Sequence, residues 1–168
     1  MTSQPPQITI IQGSILDAQC DMIVNAANSH GVMGGGVAGI IRRAAGKQVE
    51  EEAASQAPIP VGEAILTSGG QTAFRGIIHA PTMPEPAMRI PLRNVGLATR
   101  AALTLAEHHA VESLAFPGMG TGVGGVNHGD SALAMIQEIS SFVPKSLRHI
   151  ILVDVDIRMV RAWQATLT

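Results

Sequence analysis

The glycines of this chain gather directly after short apolar runs, and this constrains the fold more than any other feature. Eighteen are present, concentrated at Gly34–Gly36, at Gly69–Gly70 and from Gly118 to Gly129. Clustered glycine means backbone that turns sharply or lies close to something, because no Cβ stands in the way. Met22–Asn25 runs into Ala26-Ala27-Asn28 and then the three glycines. Ser113–Phe116 runs into Pro117-Gly118-Met119-Gly120-Thr121-Gly122. Short apolar runs bounded by turn signals read as buried strands. Ile8–Gln12, Glu63–Thr67, Gly76–Ala80 and the β-branched His149–Val155 add four more.

Helical stretches fall between these runs. Val37 to Ala45 and Lys47 to Ser55 are two of them, with Glu50, Glu51 and Glu52 as a solvated face. Leu92 to His109 carries Val95, Ala98, Ala102, Leu105 and Ala106 near helical spacing. Asp130 or Ser131 is suited to cap a helix reaching about Phe142, and Asp156 to cap one ending near Leu167. Alternating strands and helices predict an α/β fold: a mixed, mostly parallel central sheet sandwiched by helices. In such sheets ligands bind beyond the carboxyl ends of the strands, which is where this chain keeps its glycines.

With 168 residues, no linker and no internal repeat, one domain over 1–168 is expected, with 1–7 as a loose polar segment. A net charge of −2 gives no electrostatic reason for bulk nucleic-acid or membrane binding. No apolar run is long enough to span a bilayer. The lone Cys20 fits a reducing cytoplasm. Rings are scarce (Phe74, Phe116, Phe142, Trp163), so a site built on stacking has few to draw on.

The second glycine segment can turn several N–H groups into one concavity and hold an anion such as a diphosphate. It is no Walker A loop, since no Gly-Lys-Ser/Thr follows, and it lacks the acidic residue of a dinucleotide fingerprint. Asn25 and Asn28 flank two alanines at a strand end. Asparagine offers donor and acceptor to a ribose diol, although it also shapes turns. Two polar anchors beside two glycine loops favour a bipartite pocket. Of the histidines, His79 ends a buried-looking strand and reads as a satisfied core residue. His30, ahead of the first glycine run, is the better candidate base, and His128 lies near the second. No metal site is expected, because no Cys/His/carboxylate cluster has ligand spacing. No Gly-x-Ser-x-Gly elbow occurs either.

These blocks, from Asp21-Met22-Ile23-Val24-Asn25-Ala26-Ala27-Asn28-Ser29 through Gly34-Gly35-Gly36-Val37 to Leu114-Ala115-Phe116-Pro117-Gly118-Met119-Gly120-Thr121-Gly122-Val123, resemble the macrodomain signature. Ala44-Ala45-Gly46, Gly62-Glu63-Ala64, Thr67 and Ile77-Ile78-His79 continue the match, which extends from about Ile8 to Asp156. The resemblance implies a three-layer α/β/α sandwich that binds ADP-ribose, free or attached to a substrate, with no cofactor. It places Asn25 and Asn28 near the distal ribose. Gly34, Gly35, Gly36 and Val37 would follow the diphosphate on one side; Gly120, Thr121, Gly122, Val123 and Gly124 would wrap it from the other. Phe116 and Pro117 would line the adenosine side.

The chain departs from the pattern in three places. Gly13-Ser14-Ile15 stands where many members have Gly-Asp-Ile, so Ser14 and Ile15 would meet the base without a carboxylate. Gly124 and Val126 replace rings in the second loop, and Val155 stands where some members stack an aromatic on adenine. Ala38 and Arg42 occupy the positions at which several hydrolytic members carry an aspartate and a histidine. Alanine can neither orient nor deprotonate water. Two functions remain in competition: a reader that binds ADP-ribose without chemistry, and an ADP-ribosyl or O-acetyl-ADP-ribose hydrolase assisted by its substrate, with Asn28 and His30 as catalytic candidates. RNA binding is a weaker third, for want of a basic stripe.

Overall fold

The computed structural model describes residues 4–168. Its elements run β1 (Gln7–Gln12), a 3-10 turn (Ile15–Asp17), β2 (Met22–Asn28), α1 (Gly36–Ala45), α2 (Lys47–Ser55), β3 (Ile65–Thr67), β4 (Gly76–Met83), α3 (Arg93–His108), β5 (Ser113–Phe116), α4 (His128–Ser141), β6 (His149–Asp154) and α5 (Ile157–Leu167). One six-stranded sheet has the order β1-β6-β5-β2-β4-β3. Every pairing is parallel except β3 with β4. Part of the segment expected to be loose is therefore structured: β1 begins at Gln7, and Pro6 is already buried. Residues 1–3 lie outside the described residues.

The four inner strands, β6, β5, β2 and β4, are buried on both faces, as strands between helix layers must be. Because strand side chains alternate, each of them feeds two cores. Met22, Val24, Ile78, Leu114, Phe116, Ile150 and Leu152 pack toward α3, α4 and α5, around the fully buried Trp163. Ile23, Ile77, Ala115, Ile151 and Val153 pack the other way, against Ala38, Ile41 and Ala45 of α1 and Val49 of α2. The result is the three-layer α/β/α sandwich, with a mixed sheet at its centre.

Two expectations about helices need correction. The cap of α4 is Asn127, whose side chain accepts from the N–H groups of Gly129 (2.8 Å) and Asp130 (3.2 Å). Ser131 is fully buried instead, and its hydroxyl donates to the Met119 carbonyl at 2.6 Å. Nor do Glu50, Glu51 and Glu52 share a solvated face. Glu52 accepts from the Ser68 N–H at 2.8 Å and from its hydroxyl at 2.9 Å, and Glu50 accepts from the Met33 N–H at 2.7 Å. Glu51 is the exposed one of the three, opposite Lys47 at 3.9 Å. Asp156 caps α5 as expected, accepting from the Arg158 N–H at 2.9 Å.

Candidate functional site

The carboxyl ends of β1, β2, β4, β5 and β6 open into one cleft of about 630 Å³, a size ordinary for a small-molecule site. Ala26, Ala27 and Val153 form its floor. One wall is Gly34, Gly35 and Gly36 with the first turn of α1, including Val37 and Ala38. The facing wall is Pro117, Gly118, Gly120, Gly122, Val123 and Gly124. Ser14 and Ile15 close one end beside Val155. Thr82 and Met83 at the end of β4, with Pro86 and Ala87 just after it, form a wall for which the sequence carries no signal.

The glycines divide into two groups. A Cβ at Gly118 would come within 2.8 Å of Met159, and one at Gly124 within 2.6 Å of the Gly120 carbonyl. At Gly120, which has φ +78°, it would lie 2.9 Å from Ile90 and Val95. The fold itself needs these three to be glycine. At Gly34, Gly35 and Gly122 a Cβ would meet nothing within 4 Å, and φ is not in the left-handed region. No internal packing explains the missing side chains there. Backbone left bare toward an open cleft is what close approach by a ligand requires.

Of the two asparagines, only Asn28 reaches the cleft. Its Oδ1 accepts from the N–H groups of His30 (3.0 Å) and Val32 (3.3 Å), and its Nδ2 donates to the Val32 carbonyl at 2.9 Å. One amide hydrogen remains for a ligand. Asn25 is 1% exposed and lies inside the sheet. Its Nδ2 contacts His79 Nδ1 at 3.1 Å, while His79 Nε2 lies 2.9 Å from the Thr67 hydroxyl. Thr67 donates to the Ser68 carbonyl, so it accepts from Nε2–H, and Nδ1 accepts from Asn25. Burial pushes the His79 pKa down to about 4, against a smaller opposing pull from Glu52. A neutral imidazole satisfied on both sides is a core residue. Asn25 Oδ1 is left without a hydrogen-bond partner.

Three other predicted positions also fall outside the lining. Phe116 is fully buried against the α3–α5 layer, because its strand parity turns it away from the cleft. Thr121 does not line the cleft, although both its neighbours do. His30 stands on the outer surface, with Nε2 2.8 Å from Glu85 Oε2, and is no base for the cleft. His128 Nε2 lies 3.2 Å from Asp156 Oδ2. The Asp156 carboxyl is held far below the usual carboxylate range by the side chain and backbone N–H of Arg158. Cys20 offers no nucleophile either: burial, helped by the charge of Asp21, pushes its thiol up to about 12.

Among the described residues one ionisable side chain lines the cleft, Asp154, which falls within the predicted run His149–Val155. Its Oδ2 accepts from the Gly118 N–H at 3.0 Å and its Oδ1 from the Asp156 N–H at 2.9 Å, so it holds the second loop in place. Ser14 is likewise occupied, its hydroxyl capping the 3-10 turn by accepting from the Leu16 N–H at 3.2 Å. Ala38 lines the wall, and Arg42 turns to Glu50 Oε1 at 3.1 Å instead of facing the cleft.

A mostly parallel sheet between two helix layers, with two glycine loops bared toward one cleft at its carboxyl edge, defines an α/β/α sandwich domain with an open cleft. The pattern of the Macro domain family matches residues 24–135. The chain belongs to that family. It is 53% identical to an uncharacterized protein of Aquifex aeolicus, over 95% of this chain and 97% of the relative. It is 34% identical to the O-acetyl-ADP-ribose deacetylase of Escherichia fergusonii, over 83% and 81% respectively. The structure of the Trypanosoma brucei macrodomain in complex with ADP-ribose superposes with a TM-score of 0.87 at 25% identity, covering 99% of this chain and 75% of that one.

Proposed function

We propose that this macrodomain binds ADP-ribose or a close derivative, with the diphosphate lying between Gly34–Gly36 and Gly120–Gly124. The observation that carries this reading is the open space at Gly34, Gly35 and Gly122, where neither packing nor backbone conformation asks for glycine. Bare N–H groups there suit a diphosphate, and a side chain would block its approach. Val123 and Val155, 61% and 65% exposed, overhang the cleft as apolar covers where a ring would have given more contact. The ligand complex of the Trypanosoma brucei macrodomain supports the choice of ligand. Calorimetric titration tests it: ADP-ribose should bind more tightly than AMP, ADP or NAD. Equal affinities for ADP-ribose and AMP would refute a bipartite site.

A reading as a binder without chemistry fits the lining best. Asp154 has both oxygens engaged by backbone donors, and among the described residues no other ionisable group lines the cleft. Turnover is the second reading. It is favoured by the free amide hydrogen of Asn28 and by the name of the Escherichia fergusonii relative. Any such hydrolysis would use a water polarised by the substrate's own phosphate. Release of acetate from O-acetyl-ADP-ribose, or of ADP-ribose from modified protein, decides between the two. No turnover on either substrate leaves the binder.

A further inference from the structure

We propose that Glu50 is a positioning residue for the first glycine loop, with Arg42 acting through it. The inference rests on the ligand reading above and adds the device that shapes that wall. The loop approaches the cleft through residues 28–33. Asn28 grips Val32 by both its N–H and its carbonyl. The next residue, Met33, has its side chain buried and gives its N–H to Glu50 Oε2 at 2.7 Å. Gly34 and Gly35 follow, and a Cβ on either would meet nothing within 4 Å. The Met33–Glu50 bond is therefore the last hold on the chain before the bare glycines.

Glu50 belongs to α2, and its other oxygen takes Arg42 Nε of α1 at 3.1 Å. α1 itself begins at Gly36, where the loop ends. The bonds thus close a ring: the start of the loop is tied to α2, α2 is tied to α1, and α1 is the end of the loop. A carboxylate that accepts an N–H is a stronger hold than a neutral acceptor, and the guanidinium at its other oxygen holds this one in orientation. The same pairing draws Arg42 away from the cleft.

A purely structural Glu50 and a positioning Glu50 predict different binding patterns. In the ligand reading AMP reaches the second loop and the base end, whereas ADP-ribose also depends on the first loop. Glu50→Ala should weaken ADP-ribose by about tenfold, the scale of losing one charge-assisted hydrogen bond, and leave AMP within about twofold. Glu50→Gln keeps an acceptor for Met33 N–H and should recover most of the loss. Arg42→Gln should show a smaller effect of the same sign. Amide hydrogen exchange on the ligand-free proteins gives an independent readout: residues 33–37 should exchange faster in Glu50→Ala and near the wild-type rate in Glu50→Gln. If Glu50→Ala does not fold, Arg42→Gln carries the comparison: it must then weaken ADP-ribose more than AMP and speed exchange at residues 33–37. Wild-type protein that binds no ADP-ribose refutes the ligand reading, and exchange still decides the role of Glu50. Equal loss of AMP and ADP-ribose, or unchanged exchange at 33–37, overturns the positioning role.

Discussion

Replacing Gly122 by glutamate sets a negative charge against the proposed diphosphate at a place where the protein itself will not object. A Cβ there meets nothing within 4 Å, and φ lies outside the left-handed region. Folding stability should stay within about 0.5 kcal/mol of wild type, as for other surface substitutions. Binding should suffer much more. At a separation of about 6 Å and an effective dielectric of about 40, each phosphate charge repels the new carboxylate by about 1.4 kcal/mol. Two such charges give about 2.8 kcal/mol, which ionic screening trims to about 2 kcal/mol, or about thirtyfold in affinity. Calorimetry with ADP-ribose reads this directly, with thermal unfolding as the check on the fold. Gly122→Ala and Gly122→Gln separate the contributions: Ala should be nearly neutral, and Gln should show bulk without charge. The excess penalty of Glu over Gln should shrink as salt is raised. Unchanged affinity in Gly122→Glu would mean that the ligand does not pass along this loop. An equal loss in Gln and Glu would refute the electrostatic part.

The neighbouring glycine offers the opposite test: Gly118→Ala would crowd Met159 and the Asp154 carboxylate, both within 2.9 Å of the new Cβ. It should lower stability by about 1–3 kcal/mol in urea unfolding, whatever it does to binding. Asn28→Asp keeps the acceptor for His30 and Val32 but sets an oxygen against the Val32 carbonyl and removes the free amide hydrogen. It should weaken ADP-ribose by about tenfold or more, read by titration against AMP, which should be less affected. His79 predicts an acid sensitivity. Its folded pKa of about 4 lies below the unfolded value of 6.5, so protonation favours the unfolded chain. Stability is intact above pH 6.5 and falls as pH drops toward 4. Linkage gives a loss of about 2 kcal/mol between about pH 7 and pH 4.5, measured by urea unfolding, and His79→Gln should flatten that slope.

The sandwich was legible because short apolar runs alternating with helical periodicity leave few ways to build a sheet, and every predicted strand is present. The asparagines show where that legibility stopped and why. Both were read as flanking a strand end, but β2 pairs with β4 as far as Asn28, placing Asn25 within the sheet. Residues three apart on a strand point to opposite faces, so the period alone argued against both meeting one ligand. Asn25 instead shares the parity of Ile23 and turns toward the α1–α2 layer, where it meets His79. The same rule, applied to β5, sends Phe116 to the side of Leu114 and away from the adenosine end. The wall after β4 had no comparable signal. Pro84 and Pro86 mark a turn, but nothing in them says that the turn folds over the cleft.

The acidic residues carry the last step. Consecutive positions on a helix are about 100° apart, so Glu50 and Glu52 point about 200° from each other on either side of Glu51 and meet different neighbours. The structure uses two of them to hold loops, and it repeats the device elsewhere. Glu50 takes the N–H of Met33 and Asp154 that of Gly118, while Glu107 takes those of Lys145, Ser146 and Leu147. In the first two cases the carboxylate grips the backbone just as it enters a glycine loop of the cleft. Each such bond spends a carboxylate's charge on an N–H outside the ligand path and leaves the N–H groups within the path without an internal acidic partner. A chain with net charge −2 can then offer a diphosphate two backbone walls. Among the described residues no cationic side chain lines the cleft, so in the proposed reading its backbone N–H groups are what a diphosphate would meet.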